Sequence, residues 1–108
     1  MHIKRPLLAV GFMFAAMLTV FQAHAQAPDP SDKNQMRQMA YAYCSKSANA
    51  TVCNCFADTL VRSFNENDWK IFIADASGSS APPSGIGQAE LDGYGRKLAA
   101  AGNTCGMQ

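Results

Sequence analysis

Four cysteines limit what this chain can fold into more than any other feature. Cys44, Cys53, Cys55 and Cys105 follow the spacing C-x8-C-x-C-x49-C. All four lie downstream of a segment with the three-part plan of an export signal. Lys4 and Arg5 form a positive start, Leu7 to Phe21 is apolar except for Thr19, and Ala23-His24-Ala25 is an A-x-A site. This pattern predicts a signal peptide over residues 1–25, cleavage between Ala25 and Gln26, and a periplasmic or secreted protein. An uncleaved N-terminal anchor is the alternative. The apolar run falls short of the roughly 20 residues that a spanning helix needs, which disfavours it. No membrane insertion is expected once the signal is gone.

Loss of the signal changes the chemistry available. Of the 108 residues 83 remain, and both histidines, His2 and His24, leave with the first 25. Without histidine the mature chain has no Ser-His-Asp or Cys-His catalysis, no His-ligated zinc or copper, and no haem attachment through C-x-x-C-H. Of the nine Lys and Arg, Lys4 and Arg5 are also lost, which leaves seven basic against eight acidic side chains. A near-neutral chain without a basic block is a poor match for nucleic acid.

Gln26 to Lys33 reads as a flexible lead-in, with Ser31 or Asp32 able to cap the helix that follows. The folded part is expected over residues 34–108. Met36, Met39, Ala40 and Tyr43 recur at i, i+3, i+4 and i+7 and predict a helix from Asn34 to Ser45. A small polar turn follows, with Asn49 or Thr51 as the next cap. Cys53, Phe56, Ala57, Leu60 and Phe64 form one stripe at about 100° per residue, which predicts a second helix over Val52 to Phe64. A third is expected from Asp68 to Ala76, with Trp69, Phe72, Ile73 and Ala76 inward. Residues 77–87 (S-G-S-S-A-P-P-S-G-I-G) read as a linker. A last helix from Gln88 to Ala101 carries Leu91, Tyr94 and Leu98 in register, with Gly102 as its stop. Gly93 and Gly95 either weaken this helix or admit close backbone approach. The fold class is therefore all-α, a small bundle of three to four short helices that begins with a disulfide-closed helical hairpin.

Below roughly 80 residues one apolar core supplies only a few kcal/mol, and small exported domains add staples. An even cysteine count then reads as two disulfides. In a hairpin centred between Ala48 and Asn49, Cys44 and Cys53 are equidistant from the turn. Cys55 lies about 200° round the helix from Cys53, available to a returning tail. Cys44–Cys53 with Cys55–Cys105 is the favoured pairing, and Cys44–Cys55 with Cys53–Cys105 the alternative. A Cys53–Cys55 ring ranks last on geometry.

The C-x-C pair Cys53/Cys55 also admits a different reading, an exported thiol–disulfide exchange protein. Against it, the motif is not C-x-x-C and no alternating β/α pattern surrounds it. Four thiolates at this spacing lack the paired knuckles of a zinc site. Asp58, Glu66, Asp68, Asp75, Glu90 and Asp92 fall on polar faces or caps, and Asn49-Ala50-Thr51 matches a glycosylation acceptor of low specificity. No catalytic, cofactor-binding or metal-binding residue is assigned, and no cofactor is expected. Tyr41, Val61 and Ile71 lie off the core stripes and become a binding patch if the fold gathers them. The first functional expectation is a non-enzymatic protein that works through contacts with a protein partner in the cell envelope or periplasm.

Overall fold

Asp32, Asn49 and Asn65 set where the first three helices begin. The computed structural model describes residues 27–107, and the export signal with its cleavage point lies outside the described residues. Four α-helices are present: α1 (Lys33–Cys44), α2 (Ala50–Ser63), α3 (Glu66–Ala76) and α4 (Gln88–Cys105). There is no strand among the described residues. The molecule is a small all-α bundle that opens with a helical hairpin.

Each start has a local chemical cause. The Asp32 carboxylate accepts the Gln35 N–H at 3.1 Å, and the Asn49 side chain accepts the Val52 N–H at 3.0 Å. At α3 the cap is reciprocal: Asn65 Oδ1 accepts the Asp68 N–H and Asp68 Oδ2 accepts the Asn65 N–H, both at 2.9 Å. Such boxes satisfy two otherwise orphaned donors at once. The lead-in is shorter than expected, since Lys33 already belongs to α1. Asp29 organises the turn before it, accepting from the Ser31 N–H and hydroxyl, while its own N–H donates to Gln35 Oε1 at 2.9 Å.

α1 packs on α2, and α4 packs on both α2 and α3. The core runs from Met36, Ala40 and Cys44 of α1 through Cys53, Phe56, Ala57 and Leu60 of α2 to Phe64, Trp69, Ile71 and Phe72, and is closed by Tyr94 and Ala101 of α4. Phe64 lies in the two-residue break between α2 and α3, in extended conformation. Its ring stacks edge-on against Trp69 with centroids 4.8 Å apart and meets Tyr94 at 5.4 Å. One aromatic in a bend thereby joins three helices, a geometry that contributes beyond area burial.

Two expectations about the faces change. Ile71, read as off the stripe, is a core residue at 3% exposure, whereas Ile73 is only half-buried and Ala76 is exposed. The buried set of α3 is Asp68, Trp69, Ile71 and Phe72. α3 meets α4 as well as the hairpin side, so its inward face is wider and rotated relative to a single-stripe helix. Tyr43, read as core, is 43% exposed and lies edge-on over Phe72 with centroids 5.3 Å apart.

α4 runs four residues past the expected end, through Gly102 to Cys105. Gly106 terminates it at φ 76°, where a Cβ would be strained. The Met107 N–H donates to the Gly102 carbonyl at 2.8 Å and the Gly106 N–H to Asn103 at 3.4 Å. This is the Schellman arrangement, with the left-handed glycine just after the last helical residue. Gly93 and Gly95 admit no close backbone approach. A Cβ on Gly95 would meet nothing within 4 Å, and one on Gly93 only the Arg96 side chain at 3.8 Å.

Candidate functional site

The two disulfides are the chemically distinctive groups of the fold. The bridges are Cys44–Cys53 and Cys55–Cys105, with Cα–Cα distances of 5.4 and 5.6 Å. All four cysteines are bridged. Cys44 is the last residue of α1 and Cys53 lies in the first turn of α2, so the first bridge closes the hairpin beside its turn. Cys55 sits farther along α2 and Cys105 is the last residue of α4, so the second bridge fastens the end of the closing helix to the hairpin. Cys53 and Cys55, two residues apart, face different partners and do not form a local dithiol pair.

The surroundings of the bridges differ. Cys44 and Cys53 are 1% and 0% exposed, whereas Cys55 and Cys105 are both partly exposed. Thr59, one turn beyond Cys55, donates its hydroxyl proton to the Cys55 carbonyl at 2.7 Å. Its Oγ1 lies 3.6 Å from Cys105 Sγ and accepts from Arg62 Nη2 at 3.5 Å. The second bridge therefore has a polar, accessible flank, and the first is sealed among apolar side chains.

Five of the six carboxylates singled out in the sequence are taken up by structural partners, while Glu66 is exposed in the first turn of α3. Arg37 Nε donates to Asp58 at 2.7 Å and Arg37 Nη2 to Asn54 Oδ1 at 3.2 Å, linking α1 to α2. Lys97 Nζ donates at 2.6 Å to Asp68 Oδ2, the oxygen that also caps α3, and links α4 to α3. Asp68, expected on a polar face or cap, is a cap, yet its side chain is only 5% exposed. The Tyr94 hydroxyl donates to Asp75 Oδ2 at 3.0 Å. Burial, reinforced by this bond and the Asp75 charge, holds the Tyr94 hydroxyl proton well above its ordinary range. Glu90 reaches back to the Gly87 N–H at 3.3 Å and accepts from Asn67 at 2.6 Å. Asp92 accepts from Gln88 at 2.9 Å. No two of these carboxylates face one another across a cleft in these pairings, and no cluster with metal-ligand potential occurs among the described residues.

The apolar surface does not gather as a sequence reading suggests. Tyr41 and Val61 pack partly buried against the core and Ile71 is inside it, so the three do not form an exposed patch. A shallow groove of about 410 Å³ lies instead where the lead-in and the 77–87 segment meet α3. Pro28, Pro30, Ile73, Ala74, Pro82 and Pro83 line it, with Lys70 at the rim. The sequence signal for it is the prolines on either side of the α1–α3 segment; their convergence is a tertiary event. No described helix is long and apolar enough to cross a membrane. Comparison of the chain with protein-family models, with curated proteins and with solved structures returns no match.

Proposed function

We propose that this chain is a small exported helical module that acts through contacts with a protein partner, in the periplasm or outside the cell. The observation that carries this reading is the commitment of the polar groups. The carboxylates of Asp58, Asp68, Asp75, Glu90 and Asp92 are bound into caps, ion pairs or hydrogen bonds that hold the helices together. Outward-facing features include the proline-lined groove, and Tyr43 with Lys46 Nζ 6.0 Å from its ring centre. Two disulfides on so short a chain fit an oxidising compartment, as does the leader pattern over residues 1–25. The near-neutral charge balance supports a protein partner over a nucleic acid.

The test is crosslinking of the oxidised protein in its native envelope, followed by binding of the captured protein in purified form. One reproducible partner, bound by the wild type and weakened by Tyr43→Ala or Pro82→Ala, supports the reading. Purified components that fail to associate, or binding that both substitutions leave intact, count against it.

The competing reading, a thiol exchanger built on Cys53/Cys55, would have to draw its two sulfurs from different bridges.

A further inference from the structure

We infer that the Cys55–Cys105 bridge is a thiol-exchange site, opened by a dithiol reductant that leaves Cys44–Cys53 closed. The inference stands apart from the partner-binding reading. Exchange requires a thiolate to reach one sulfur of the bridge, so access decides which disulfide reacts. Cys44 and Cys53 are sealed at 1% and 0% exposure, and only opening of the hairpin core brings a reagent to them. Cys55 and Cys105 are partly exposed on the flank that carries Thr59 and Arg62.

The local geometry also gives the reaction a direction. The Thr59 proton is committed to the Cys55 carbonyl, so its oxygen turns lone pairs toward Arg62 and Cys105 Sγ. A lone pair facing a sulfur disfavours a thiolate there and accepts an S–H. Cys105 is the last residue of α4, where the carbonyl end of the helix also disfavours negative charge. The sulfur better able to leave with the electron pair is therefore that of Cys55.

A thiolate of the dithiol attacks Cys105 Sγ, the S–S bond breaks, and Cys55 departs as a thiolate that takes up a proton. The second thiol of the reductant loses its proton and attacks the mixed disulfide, closing the reductant's own disulfide and releasing Cys105, which is protonated. Two electrons and two protons pass from the dithiol to the protein.

The structural result is confined. The Lys97–Asp68 and Tyr94–Asp75 contacts and the buried Ala101 hold α4 upstream of the bridge. Only the last turn and Met107, which lies with Ala48 and Val52 beside the hairpin turn, lose their tether.

The experiment treats the oxidised protein with dithiothreitol under native conditions, quenches with acid, alkylates and maps the thiols by mass spectrometry over time. Cys55 and Cys105 are expected to appear faster than Cys44 and Cys53 by a factor of about 100 or more, because the buried pair must wait for core opening. Four thiols appearing together, Cys44 and Cys53 appearing first, or no native-state opening would each overturn the inference. A second arm uses excess glutathione to trap the mixed disulfide. It is expected on Cys105 in the wild type and divided between Cys105 and Cys55 in Thr59→Val. A wild-type adduct on Cys55 overturns the assigned direction.

Discussion

The two ends of this molecule are stapled by the same bond and built on different terms. At the hairpin end, Cys44–Cys53 spans nine residues, is sealed in the core, and joins helices that already share Met36, Ala40, Phe56 and Leu60. At the closing end, Cys55–Cys105 spans 50 residues and stays partly exposed. It holds a helix with three interior glycines, Gly93, Gly95 and Gly102, and only two buried residues, Tyr94 and Ala101. In the first region the disulfide reinforces packing that exists around it. In the second it adds a covalent tie to a thinner packing face, Tyr94 and Ala101 with the half-buried Leu91 and Leu98. Small domains lack the apolar area to close every face, and a long-range covalent tie is one replacement.

The largest test of this contrast is removal of each bridge in turn. On the loop-closure account, Cys55→Ser with Cys105→Ser lowers the unfolding free energy by about 4 kcal/mol, measured by denaturant titration. Hydrogen exchange should then rise in the last turns of α4 while α1 and α2 keep their protection. Equal loss in every helix would break the distinction between the two ends. Cys44→Ala with Cys53→Ala is expected to cost about 3 kcal/mol from loop closure and to weaken the whole domain cooperatively.

Smaller changes act within the closing end. Asp68→Ala removes the α3 capping box and the partner of Lys97 together, and is expected to cost about 2 kcal/mol. Gly95→Ala and Gly93→Ala should each stabilise by up to about 1 kcal/mol, since both positions are helical and have room for a Cβ. A destabilising result at Gly95 would mean that α4 needs its glycines for something other than economy of space.

The smallest effect is one of pH. The Tyr94 hydroxyl is raised above its unfolded value of about 10. A raised group contributes stability that is fully present below the unfolded value and is lost as pH climbs toward the folded one. The unfolded chain there releases a proton that the folded chain keeps. Wild-type stability should therefore fall above pH 10 more steeply than that of Tyr94→Phe. Parallel curves would show that burial and the Asp75 bond do not hold the proton in solution.

How far the sequence discloses this arrangement depends on the range of the signal. Asp32 and Asn49 are readable as caps because an N-cap acts within three residues, whereas the Asn65 cap starts α3 at Glu66, two residues ahead of the expected Asp68. The α2 stripe from Cys53 to Leu60 is readable because α2 buries one broad face, and its phase separates Cys53 from Cys55; Phe64, expected on the same stripe, lies just past the helix end in extended conformation. α3 was harder, since it has neighbours on two sides and periodicity reports only one. Ile71 and Ile73 exchange roles for that reason, and Asp68 becomes buried because Lys97, 29 residues away, arrives to meet it. The end of α4 was misplaced at Gly102 because two glycines follow one another at four-residue spacing. Only the second, at positive φ, has the conformation that stops a helix. The meeting of Pro28 and Pro30 with Pro82 and Pro83 is invisible to any local pattern.

The unequal reach of the bridges also orders the events by which the protein matures. A chain that emerges N-terminus first presents Cys44 and then Cys53, consecutive in sequence and nine residues apart. That loop closes fast and early, with the turn between α1 and α2 as its guide. Cys55 follows at once but must wait for Cys105, 50 residues later. During that interval Cys55 is the odd thiol of a half-made domain, and the pairing it must avoid is with Cys44. Burial of Cys53 against α1 protects the correct outcome, since a finished hairpin hides its bridge from the one sulfur able to scramble it.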